Sequence, residues 1–189
     1  NQGISAGQLK ADWEAIIDGD SGDDIQILYL SFNNLKETPS HDYLKRMTRI
    51  SYLDCTTNKL EIVHSFGKEI SPATIMFDYN NIHTITVEDG DYYCGMSMLE
   101  TFSCSNNRLT KLPDLFSARS IYTMLTADFS SNEISELENG DQWRGINTGT
   151  LNLADNRFET LPKRIMGSGS IVEVLMLSSN GIRTIEEGA

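Results

Sequence analysis

The side chains here best able to do chemistry are three cysteines, three histidines and one run of aspartates. A thiolate beside an imidazole would be a nucleophilic pair. Cysteines and histidines at C-x-x-C spacing would hold zinc. Neither pattern is present: Cys55, Cys94 and Cys104 stand far apart, and His41, His64 and His83 are scattered. The acidic turn "DGDSGDD", Asp18 to Asp24, has the composition of a calcium loop. Gly22 falls where the third ligand belongs, however, and no Glu closes the loop at the required distance. It reads as a solvated linker. Phosphate loops, hydrolytic triads and carboxylate pairs with separable roles are likewise missing. The sequence therefore predicts a protein that is not an enzyme, with no cofactor and no metal.

What positions these residues is a repeat. Aligned on one asparagine, the chain returns at Asn33, Asn58, Asn80, Asn107, Asn132, Asn156 and Asn180, with spacings of 25, 22, 27, 25, 24 and 24 residues. Three positions before each Asn stand Leu30, Cys55, Phe77, Cys104, Phe129, Leu153 and Leu177. Five before stand Leu28, Leu53, Ile75, Phe102, Ala127, Leu151 and Leu175, and two after stand Leu35, Leu60, Ile82, Leu109, Ile134, Phe158 and Ile182. Apolar residues two apart face one side of a short strand. A single strand with its return segment cannot bury that side alone, so the units must stack into a parallel sheet. The asparagine amide then satisfies backbone groups where the chain leaves the strand and pairs along the stack. Cys55 and Cys104 share an inward slot two repeats apart. At roughly 4.8 Å per strand they lie about 10 Å from each other, too far for a disulfide. They read as small core residues.

This pattern, L-x-x-L-x-L-x-x-N-x-L, resembles the leucine-rich repeat family from about Ile25 to the end, and most closely its bacterial cell-surface or secreted members. The "LP" at Leu112 and Leu161 and Pro39 fit as well, while Pro72 and Thr148 replace the first apolar residue of their repeats. The expected fold is an α/β repeat solenoid: a curved array with a concave parallel sheet of about seven short strands and irregular convex segments. Residues 25–189 form about seven repeats, the last incomplete. Residues 1–24 form an N-terminal helical cap with its acidic turn, since Ser5 and Gln8 make a capping box and Leu9, Trp13, Ile16 and Ile17 share a helical face. The C-terminal end shows no such cap and reads as the boundary of an ordered fragment. Tyr93 and Trp143, in the outer loops "VEDGDYYCG" and "LENGDQWRG", are expected to pack on the convex side.

Net charge and the outward residues bound the partner. With 27 acidic against 15 basic side chains the chain carries −12, which argues against nucleic acid. No apolar run is long enough to span a membrane. The outward strand positions lie six, four, two and one residues before each Asn, and none of these 28 positions holds Lys, Arg or His. Aromatic residues gather in the first three repeats: Tyr29, Phe32, Tyr52 and Tyr79, with Met76, Asp54 and Asp78 among them. Exposed rings beside a few acids suit a protein or glycan hot spot. The reading is a non-catalytic recognition module for a protein or glycan. The alternative is the targeting arm of a larger enzyme whose catalytic part lies elsewhere. The chain begins at Asn1 rather than Met, as a processed or trimmed product would, and no N-x-Ser/Thr glycosylation site occurs. A bacterial protein exposed outside the cytoplasm is the expected setting.

Overall fold

In the computed structural model the described residues are 24–38, 44, 46–67, 70–86, 98–115, 122–137, 146–161 and 168–187. The proposed helical cap, most of the acidic turn, Tyr93, Cys94 and Trp143 lie outside them. Among the described residues there are thirteen strands: β1 Ile27–Tyr29, β2 Tyr52–Asp54, β3 Ile62–His64, β4 Thr74–Met76, β5 Thr84–Thr86, β6 Thr101–Ser103, β7 Lys111–Leu112, β8 Tyr122–Asp128, β9 Glu136–Leu137, β10 Ile146–Asn152, β11 Thr160–Leu161, β12 Ile171–Met176 and β13 Thr184–Ile185.

Seven of them form one sheet in the order β1-β2-β4-β6-β8-β10-β12. Every pairing is parallel and joins equivalent positions, such as Leu28 with Leu53 and Leu151 with Leu175. The expected solenoid is therefore observed, in the register the asparagines set. The inward row five residues before each Asn is buried from Leu53 through Leu151 and opens to 36% exposure at Leu175, on the edge strand. Ala127, the small member of that row, is paired with Phe102. The Phe102 ring leans on Phe129 at 5.6 Å between centroids and on Phe77 at 6.1 Å, so aromatic bulk from adjacent slots surrounds the alanine. Pro72 and Thr148, the two departures from the pattern, are both buried and leave the stack unbroken.

A second row of strands was not anticipated. Beginning four residues after each Asn, the chain makes short parallel pairs β3–β5, β7–β9 and β11–β13, and Glu37 bridges to Ile62 in the same row. The signal was present in the sequence, because Val63, Ile85, Leu112, Leu137, Leu161 and Ile185 stand five residues after their asparagines. Val63 and Leu112 are fully buried. Thr38 takes this place in the first repeat, and its hydroxyl accepts the His64 N–H at 2.9 Å.

Candidate functional site

The exits from the main strands define the geometry of the open face. Asn58 donates through Nδ2 to the carbonyls of Cys55 and Thr56 in its own repeat and of Leu30 in the preceding one. Its Oδ1 accepts the Leu35 N–H, also from the preceding repeat. Asn80, Asn107, Asn132, Asn156 and Asn180 repeat the arrangement, each accepting the N–H of the apolar residue two places after the previous asparagine. Asn33 bonds the carbonyls of Leu30 and Ser31 within its own repeat. Four backbone groups are thus satisfied per internal asparagine. A buried backbone group left unpaired would cost about 1–3 kcal/mol.

The residue before each asparagine is left-handed in all seven repeats: Phe32, Thr57, Tyr79, Asn106, Ser131, Asp155 and Ser179, with φ between 53° and 58°. A non-glycine residue pays about 1–2 kcal/mol for this conformation. Only Asn106 and Asp155 are of types that visit it readily, so composition did not reveal the row. The kink turns Phe32 and Tyr79 outward, and they are 78% and 62% exposed.

Next to them, Tyr29 and Tyr52 touch, with ring centroids 5.4 Å apart at 51°. The Tyr52 hydroxyl donates to Met76 Sδ at 3.3 Å. Partial burial, reinforced by the Asp54 carboxylate and by Tyr29, pushes the Tyr52 phenol above its usual pKa. The structure therefore joins Tyr29, Tyr52 and Met76 into one contiguous group, while Phe32 and Tyr79 are exposed at the left-handed exits after β1 and β4.

The carboxylates are differently occupied. Asp54 Oδ1 accepts the Thr56 N–H at 2.9 Å, an Asx turn that caps the end of β2. Asp128 does the same for Ser130, and Asn152 for Ala154. The repeat of Asn107 has Ser103 at this place, and Asp78 of the preceding repeat supplies the missing acceptor. Its Oδ1 takes the Ser105 N–H at 2.7 Å and the Ser103 hydroxyl at 2.6 Å, and the residue is 8% exposed. The aspartates chosen by sequence as partner-facing thus have internal bonds. Asp54-x-Thr56 and Asp128-x-Ser130 carried a readable turn signal; the contact from Asp78 to the next repeat did not.

No group of three or more His, Cys, Asp or Glu that could hold a metal occurs among the described residues. Cys55 and Cys104 are buried free thiols, and burial pushes both well above their usual pKa. Among the described residues no helix is long and apolar enough to cross a membrane.

Comparison with known proteins agrees with this architecture. The Leucine Rich Repeat family model matches residues 98–118. A solved leucine-rich repeat protein from Bacteroides eggerthii is 35% identical, with a TM-score of 0.80 over 95% of this chain and 30% of its own. Another, from Bacteroides thetaiotaomicron, is 26% identical, with a TM-score of 0.70 over 98% of this chain and 26% of its own. The chain thus spans less than a third of the length of either solved relative. No curated protein matches it.

Proposed function

We propose that this chain, a leucine-rich repeat array, is a non-catalytic recognition module that holds a protein or glycan against the N-terminal part of its open sheet face. The observation that carries the reading is the aromatic group itself. Tyr29, Phe32 and Tyr79 are each more than 60% exposed, although nothing in the stacking of the repeats requires a ring outside. Tyr and Phe offer large contact area at a small cost in rotamer entropy. The bond from Tyr52 to Met76 and its contact with Tyr29 hold part of this surface in place before any partner arrives. Asp54 and Asp78 act beside the rings as structural acceptors, Asp54 for the Thr56 N–H and the buried Asp78 for Ser103 and Ser105. The similarity to Bacteroides proteins supports a bacterial origin, with display outside the cytoplasm as the setting in which such a module would meet its partner.

The test is a glycan array and a screen of purified candidate proteins, followed by affinity measurement on any specific hit. A Tyr29→Ser, Tyr79→Asn double variant keeps every capping bond, and Asn suits the left-handed site. It is expected to bind at least tenfold more weakly, a loss of about 1.4 kcal/mol. Unchanged affinity would place the site elsewhere. A salt titration separates the partner classes, because a cationic protein loses affinity as screening increases and a neutral glycan does not.

A further inference from the structure

The C-terminal half of the same face differs from the N-terminal half in strand length. β1, β2, β4 and β6 have three residues each, whereas β8 and β10 have seven and β12 has six. The extensions add outward side chains nine and seven places before each Asn, on either side of buried Met124, buried Thr148 and half-buried Val172. The outward residues are Thr123 and Leu125, Asn147 and Gly149, and Ile171 and Glu173.

The middle strand therefore has no side chain between Leu125 and Glu173. That gap is enforced, since a Cβ on Gly149 would lie 2.8 Å from the Leu125 carbonyl oxygen. The result is a notch of about 220 Å³ lined by these six residues together with Met124 and Thr148. It falls below the range of about 300–1,000 Å³ usual for whole small-molecule sites and is on the scale of one long side chain.

Its lining is chemically uneven. Leu125 and Ile171, each 58% exposed, make aliphatic walls. Glu173 brings a carboxylate, and Asn147 and Thr123 bring neutral acceptors. A notch with aliphatic walls and one carboxylate complements a long aliphatic stem with a cationic head. Arginine fits better than lysine, because its planar fork can engage a carboxylate with two parallel bonds and still offer donors to an amide or hydroxyl oxygen. The −12 net charge and the absence of Lys, Arg and His from the 28 outward strand positions favour such a guest. We propose that the notch between Leu125 and Glu173 receives an arginine side chain from a protein partner. This rests on the recognition reading but uses a separate part of the face.

The probe is the capped tripeptide acetyl-Gly-Arg-Gly-amide, titrated into isotope-labelled protein while backbone amide shifts are followed. Saturable shifts are expected at Thr123, Asn147, Gly149 and Glu173. Replacing the arginine by citrulline, which has the same shape without the charge, should weaken binding several-fold. Glu173→Gln should do likewise; Glu173 is exposed, so unchanged shifts elsewhere will verify that this variant folds. Leu125→Ser, which removes a wall, should weaken binding by a similar factor. Non-saturable shifts, equal binding of the citrulline peptide, or indifference to Glu173→Gln would each overturn the proposal. The Tyr29→Ser, Tyr79→Asn variant should bind the tripeptide normally, so the notch and the aromatic patch fail or survive separately.

Discussion

Asn107 and Ile82 belong to different repeats, 25 residues apart, and are joined by a bond from the Ile82 N–H to Asn107 Oδ1 at 2.9 Å. From the same amide group, Nδ2 donates back to Phe77 O at 3.0 Å. One side chain thereby ties the exit of its own strand to both sides of the preceding turn. The repeats are coupled by side-chain amides as well as by the sheet.

Asn107→Ala should therefore destabilise the array by about 2–4 kcal/mol, since several buried backbone groups lose their partner together. Asn106→Ala should cost about 1 kcal/mol or less, reflecting the left-handed backbone and an outward bond to Ser105 Oγ at 3.1 Å. Urea denaturation of both variants checks the difference. Equal midpoints would contradict it.

The left-handed row predicts an unusual gain. Thr57 holds φ at 53° with a β-branched side chain, the type least suited to that region. Thr57→Asn should raise stability by about 0.5–1 kcal/mol. Thermal unfolding should move upward, and a lowered melting temperature would show that the Thr57 side chain has a stabilising role outweighing its strain.

Thr148 is 1% exposed, and its hydroxyl has no hydrogen-bond partner. It stands where other repeats place Leu99 or Met124 in the core. Thr148→Val keeps the shape and removes the unsatisfied oxygen, so a stabilisation of about 1–2 kcal/mol is expected. Denaturant titration reads it directly.

The two core thiols predict a pH dependence. Burial is the main cause that raises Cys55 and Cys104 in the folded state, and nearby aspartates add to it. The unfolded chain loses these protons near pH 8.5 while the folded chain keeps them. Above that pH the unfolded state binds fewer protons, so stability falls as pH rises. The contribution is fully present below about pH 8 and declines through pH 9–11. A Cys55→Ala, Cys104→Ala variant, although less stable at neutral pH, should show a flatter decline over that window. In the native wild type both thiols should resist alkylation at pH 8, reacting only after denaturant is added. Rapid native alkylation of either would contradict their burial.

The sequence by itself determined the repeat register, the identity of the core rows and the parallel order of the main sheet. The reason is that a period-2 apolar pattern recurring near every 24 residues can be buried only by stacking in register. It also carried the core role of Cys55 and Cys104, because they occupy slots otherwise filled by Leu and Phe. Tertiary structure alone decided what the outward residues do. Whether an aspartate faces a partner or a backbone N–H depends on which neighbouring amide lies within 3 Å, and Asp78 finds that of Ser105, 27 residues away. The left-handed turn at Tyr79 accompanies the bonds of Asn80 back to the carbonyls of Phe77 and Asp78, against the preference of tyrosine itself. The notch at Gly149 exists because two adjacent strands extend beside a missing side chain. Core positions repeat and so announce themselves along the chain, whereas the open face is assembled from single residues of neighbouring repeats, whose chemistry appears only once the repeats are stacked.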